Sequence, residues 1–205
     1  MSVNAHDSGR RRAVFLDRDG TIARYLEYCC RLEDFHLLPG VGETIRRLNQ
    51  AGLLVIVVTN QSAIARGWLT METLEAIHHK MRQELARVGA RVDAIYVCPH
   101  HPEDGCGCRK PNTAMFARAA EELRVSLADS YMVGDRHLDV LAGRAIGSRT
   151  ILVRTGHTPE SDHGVRPDYE ATTLDDAVQW ILRDLTTTLS HKRSEKEKPY
   201  GATVA

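Results

Sequence analysis

Apolar residues in this chain fall into two alternating kinds of segment. Short, mostly apolar runs occupy residues 13–16, 53–58, 93–97, 130–133 and 149–153, those at 13–16 and 53–58 unbroken. Runs of that length, rich in Val, Ile and Leu, read as strands covered on both faces. Between them, apolar positions recur at helical spacing. Val41, Ile45 and Leu48 make one stripe, with Pro39 and Gly40 before it and Gly52 as its stop. Leu74, Ile77, Met81, Leu85 and Val88 make another, and Thr70 is placed to cap that helix. His78 and His79 fall on a face of it read as exposed, so they receive no role. Helices are also predicted over 114–123, 138–145 and roughly 174–185. Strands alternating with helices imply an α/β fold with right-handed crossovers. The expectation is a parallel sheet flanked by helices.

The ends read differently. Residues 1–11 are polar and read as a flexible tail, 12–188 as one folded domain, and 189–205 as a disordered tail too poor in apolar residues to pack. No insertion is long enough for a second domain. Any lid must be small, and residues 22–38 are the best candidate. The 205 residues carry 27 Lys+Arg against 27 Asp+Glu, a formal net charge of zero. That balance supplies no global field for nucleic acid. The N-terminus lacks the apolar stretch of a secretion signal, and no segment approaches a membrane span. The expectation is a cytoplasmic, monomeric protein acting on a small molecule, with neither nucleic acid nor membrane as partner.

The chemistry sits at the ends of the apolar runs. Asp17 and Asp19, in AVFLDRDGT, follow the first strand. One carboxylate can attack and the other can move a proton, as an aspartate-based phosphate-transfer enzyme needs. Thr59, Asn60, Gln61 and Ser62 follow the second strand, where a hydroxyl and free N–H groups suit phosphate oxygens. Arg109 and Lys110 supply a guanidinium fork and a point charge. Asp135 ends the fourth strand and could hold a hard cation such as Mg²⁺ beside Asp17. Asp139, one helical turn on, has at most a supporting role. Five cysteines without a signal argue against a disulfide framework. Cys98, His100, Cys106 and Cys108 suit a tetrahedral structural Zn²⁺ site, with His101 a rival to His100. Such a site would order the loop presenting Arg109 and Lys110. Cys29 and Cys30 read as ordinary reduced thiols.

With these strings in order (FLDRDGTI, VVTNQSAIARG, CPHHP, CxCRKP, YMVGD and LVRTG), the chain resembles the haloacid dehalogenase superfamily of aspartate phosphatases from residue 14 to about 185. The resemblance implies a Rossmann-like parallel sheet flanked by helices with a minimal cap and a small zinc-binding loop, and a Mg²⁺-dependent phosphoric monoester hydrolase with a structural Zn²⁺. Its expected activity is removal of a phosphate from a heptose bisphosphate, in making the precursor of lipopolysaccharide or other surface glycans. By that likeness Asp17 is the nucleophile and Asp19 the acid/base. Mg²⁺ would be held by Asp17, the Asp19 backbone carbonyl and Asp135. Thr59 and Lys110 would stabilise the transferring group, and Tyr28, Asn60, Gln61, Ser62, Arg109 and Arg136 would meet substrate. The rivals are a histidinol-phosphate phosphatase and a catalytically silent zinc-stabilised binding module.

Overall fold

The computed structural model describes residues 9–156 and 165–196, with residues 188–196 as backbone alone. Six strands form one sheet: β1 (Ala13–Leu16), β2 (Leu54–Asn60), β3 (Ala94–Cys98), β4 (Tyr131–Gly134), β5 (Arg149–Val153) and β6 (Tyr169–Ala171). Their order is β3-β2-β1-β4-β5-β6, and every pairing is parallel. The chain winds outward from β1 to β3, then returns to place β4 on the other side of β1. That reversal opens a crevice at the carboxyl ends of β1 and β4, the place where such sheets take ligands.

Five helices cover the sheet: α1 (Val41–Gln50), α2 (Met71–Ala86), α3 (Ala114–Glu122), α4 (His137–Ala145) and α5 (Leu174–Lys196). Strand residues alternate between the two faces. Val14 and Leu16 join Val55, Val57 and Val133 under the apolar stripes of α1, α2 and α5. Ala13 and Phe15 join Leu54, Ile56 and Met132 under α3 and Ala142 of α4. Phe15 meets Phe116 edge-on, with ring centroids 5.1 Å apart, which ties β1 to α3. Thr70 caps α2 as expected, its hydroxyl accepting from the Thr73 N–H at 3.1 Å.

Several expectations change. His78 is buried in α2 rather than exposed, while His79 is exposed. Val88 lies beyond the end of α2 and is partly exposed, against Gly42 of α1. Strand β6 was not foreseen. The last helix continues to Lys196, into the segment read as a disordered tail. Lys, Glu and Arg are good helix formers, so a helix nucleated on packed residues such as Val178 and Ile181 can propagate past them. At the other end Arg11, assigned to the flexible tail, is tied down: its N–H donates to the Arg124 carbonyl and its carbonyl accepts from Ser126. Residues 1–8 and 197–205 of the two expected tails lie outside the described residues. No helix among the described residues is long and apolar enough to cross a membrane.

Candidate active site

Asp17 is the first residue past β1, and its N–H still donates to the Val133 carbonyl of β4 at 2.9 Å. This pins its side chain between the two central strands. The next residues turn back tightly, with the Ile22 and Ala23 N–H groups both donating to the Arg18 carbonyl. Gly20 makes the turn possible at φ +85°, and a Cβ there would lie 2.3 Å from Asp135 Oδ2. Gly156, past β5, closes the other side: its Cβ would lie 2.0 Å from the same oxygen. The Asp135 carboxylate thus sits in a slot between two glycine backbones. The Thr155 hydroxyl donates to the Gly20 carbonyl at 2.6 Å and locks the two loops together.

Lys110 is the electrostatic centre. Its buried ammonium lies 2.7 Å from Asp17 Oδ1, 2.7 Å from Asp139 Oδ1 and 2.8 Å from the Val58 carbonyl. All three donors are therefore used. Burial works against its charge, but Asp139 and Asp17 outweigh this and hold its pKa above the usual ammonium value. Burial, with the Asp139 charge behind it, pushes the Asp17 carboxyl upward despite Lys110. Asp139 also accepts from the Arg136 N–H at the start of α4. Asp139 is thus built into the centre of the site, more than the supporting role its spacing suggested.

Oxygens of Asp17, Asp135 and Asp139 lie within 4.8 Å of one another. An all-oxygen, anionic donor set of this size fits a hard divalent cation, which prefers carboxylates plus phosphate and water oxygens. The glycine slot leaves Asp135 room to serve it.

Asn60 and Gln61, expected at the substrate, bind protein groups. The Asn60 amide clamps the Lys110 backbone from both sides, accepting its N–H at 3.0 Å and donating to its carbonyl at 3.2 Å. Gln61 Nε2 donates to Asp19 Oδ2 at 2.8 Å and to Thr59 Oγ1 at 2.9 Å. Both still line a cavity of about 560 Å³, together with Asp17, Asp19, Tyr28, Thr59, Ser62, Arg109, Lys110 and Arg136. Arg109 presents a buried Nη1 with no hydrogen-bond partner. The lid candidate, residues 22–38, supplies a wall of this cavity through Tyr25, Leu26, Glu27, Tyr28 and Cys29. Tyr28 is held edge-on to Trp68 at 4.8 Å, and the Arg66 guanidinium lies 5.7 Å and 5.2 Å from the two ring centroids. Sequence reasoning missed Arg66, which lies in the same motif as Ser62, and Trp68, which follows that motif directly. It also missed Arg18, which is fully buried behind Asp19. Cys29 carries no disulfide, and burial pushes its thiol to about 11.

The cysteine loop converges as its spacing implied. Cys98 Sγ lies 3.5 Å from Cys106 Sγ and 3.2 Å from Cys108 Sγ, and His100 Nδ1 lies 3.1 Å from Cys108 Sγ. Disulfides need sulfurs about 2.05 Å apart. A tetrahedral zinc with Zn–S bonds of about 2.3 Å has sulfur–sulfur edges near 3.8 Å, close to these values. Burial and the neighbouring Cys108 push Cys98 to about 12, whereas Cys106, against a burial contribution, is lowered to about 7 by the Arg109 N–H and the adjoining thiols. Three sulfurs crowded this way invite a cation. His101 lies outside this cluster, and its Nδ1 accepts from the Glu103 N–H at 3.4 Å.

A parallel sheet of this order, with a carboxylate-rich crevice at its β1–β4 switch point, defines a hydrolase of the haloacid dehalogenase type. Residues 107–177 match the HAD-hydrolase-like family model. D-glycero-D-manno-heptose-1,7-bisphosphate 7-phosphatase of Thermosynechococcus vestitus is 40% identical over 191 residues, covering 85% of this chain and 97% of that protein. The Escherichia coli K12 enzyme, D-glycero-beta-D-manno-heptose-1,7-bisphosphate 7-phosphatase, is 40% identical over 197 residues, covering 91% and 96%. Among solved structures, D,D-heptose 1,7-bisphosphate phosphatase from B. bronchiseptica, complexed with magnesium and phosphate, superposes with TM-score 0.76 at 36% identity, covering 84% of this chain and 99% of that one. The chain belongs to the heptose-1,7-bisphosphate phosphatase family.

Proposed function

We propose that this protein is a Mg²⁺-dependent phosphatase that removes the C7 phosphate of D-glycero-D-manno-heptose 1,7-bisphosphate through an aspartyl-phosphate on Asp17. The observation that carries the reading is the Asp17–Lys110–Asp139 centre, opening into a cavity whose wall holds the unpartnered Arg109 Nη1. A bisphosphate needs two anion sites. Lys110 and Thr59 serve the reacting phosphate, and Arg109 with Arg136 suits the one that stays. Asp17, the Asp19 carbonyl and Asp135 would hold Mg²⁺, which neutralises charge between the anionic nucleophile and the anionic substrate when bound. Cys98, His100, Cys106 and Cys108 would hold Zn²⁺ and so fix the loop carrying Arg109 and Lys110.

In the first step an Asp17 oxygen bonds to phosphorus while the bond to the C7 oxygen breaks. Asp19 gives its proton to that oxygen. In the second, Asp19 takes a proton from water as the water oxygen bonds to phosphorus. The bond to Asp17 then breaks and inorganic phosphate leaves. Thr59 faces the phosphoryl oxygens throughout, and Lys110 turns to them the donor that Asp17 Oδ1 gives up on attack. The family kinship and the small-molecule cavity support a cytoplasmic role in supplying heptose for surface glycans.

The test is phosphate release with Mg²⁺ from both anomers of the heptose bisphosphate, beside histidinol phosphate. Preference for one heptose anomer is the expected result. Preference for histidinol phosphate overturns the substrate, and no turnover of any overturns the enzymatic reading.

A further inference from the structure

Arg18 is the largest side chain with no solvent exposure in the molecule's described residues. It lies between the two motif aspartates, at a position where a turn alone would accept almost any small polar residue. Its Nε lies 3.1 Å from both carboxylate oxygens of Asp19, and its Nη2 donates to Oδ2 at 2.8 Å. Its Nη1 lies 3.2 Å from Nε2 of His78, across the interface with α2. His78 is buried, and burial together with the nearby Arg18 and Arg82 charges depresses its pKa to about 3. The imidazole is therefore neutral. With its proton on Nδ1, Nε2 accepts from the guanidinium. From the other side, Gln61 anchors the same Asp19 oxygen and reaches Thr59.

We propose that Arg18, backed by neutral His78, is the positioning residue that sets the orientation of Asp19 for its proton transfers. The inference rests on the reading of Asp19 as acid/base. A buried guanidinium is costly unless its donors are met. Here two faces of it are met by groups that differ in kind: the carboxylate of a loop residue and a histidine fixed in a helix. A planar fork orients a carboxylate in a way a point charge cannot. The chain of contacts from α2 through Arg18 to Asp19 therefore transmits the rigidity of a packed helix to the tip of a turn. Asp19 must meet the departing sugar oxygen and then a water molecule, and a carboxylate free to rotate loses both alignments.

The experiment compares two substrates by kcat/KM, which reports the steps through leaving-group departure. The heptose bisphosphate expels an alkoxide that needs a proton. p-Nitrophenyl phosphate expels a phenolate that does not. Arg18→Lys is expected to lower kcat/KM for the heptose substrate by about 10²-fold, within the range of general acid catalysis, and to leave the nitrophenyl ester within about threefold. His78→Leu, which keeps the volume but not the acceptor, is expected to show the same split at about tenfold. His78→Gln, whose amide oxygen can accept from Nη1, is expected to recover most of that loss. Asp19→Asn is the reference. If it lowers both substrates alike, the acid/base role of Asp19 fails. If Asp19→Asn shows the split but Arg18→Lys and His78→Leu lower both substrates equally, or neither, the positioning role is overturned. Should Arg18→Lys not fold, the two His78 variants decide.

Discussion

The burial of His78 has a thermodynamic consequence that can be worked through. Its imidazole titrates near pH 6.5 when exposed but only at about 3 in the folded protein, because burial and the charges of Arg18 and Arg82 oppose the cation. Between those values the unfolded chain binds a proton that the native state refuses. Stability from this group is complete above pH 6.5 and is lost progressively as the pH falls toward 3. Each pH unit inside the window is worth about 1.4 kcal/mol, so descending to pH 5 costs roughly 2 kcal/mol. His78→Leu removes the titration without emptying the site. Urea unfolding at pH 7.5 and pH 5.0, for wild type and variant, isolates the effect, since other titrating groups cancel in the double difference. Wild type is expected to lose about 2 kcal/mol more than the leucine variant over that interval. Equal losses would refute the reasoning and place His78 in contact with water.

Lys110→Met leaves Asp17 and Asp139 buried without their shared cation, and the metal-free protein is expected to lose about 3–5 kcal/mol in urea unfolding at pH 7.5. A loss below about 1 kcal/mol would mean that water already screens the pair. Gly156→Ala puts a methyl into the slot that holds Asp135, whose oxygen lies 2.0 Å from the added carbon. The Mg²⁺ concentration for half-maximal activity is expected to rise by about 10–100-fold, and the melting temperature to fall, because the added carbon also lies 2.6 Å from the Gly20 backbone. Cys106→Ser is expected to abolish bound zinc in a metal assay of the purified protein and to open the loop around residues 98–108 to proteolysis. Unchanged zinc content would point to a different ligand set.

The sequence exposed the architecture well where packing decides the residue type. Both β1 and β5 have the bounds read for them, and α2 starts at its cap. Strand β6 was invisible because it has only three residues, one of them Glu170, and draws its order from pairing with β5. His78 shows a different limit. Helical spacing puts it between Leu74 and Met81 on the buried stripe, and only its polarity argued for exposure. The decisive contact was Arg18, distant in sequence but adjacent in space. At the site, strand-end positions marked Asp17, Thr59 and Asp135, and local spacing marked the cysteine loop. Asn60 and Gln61 were recognisable as site residues, but their partners, the Lys110 backbone and Asp19, belong to other segments. No periodicity encodes such pairings. The weight of Asp139 was likewise hidden, because it depends on a lysine from the loop after β3.

In the proposed reaction Asp17 attacks the phosphate at C7 and leaves the one at C1. Phosphorus NMR of the heptose bisphosphate during turnover with Mg²⁺ tests it directly, run beside Asp17→Asn. Loss of the C7 signal with the C1 signal intact, together with no turnover by the variant, is the expected result. Loss of the C1 phosphate, or full activity in Asp17→Asn, would contradict the account.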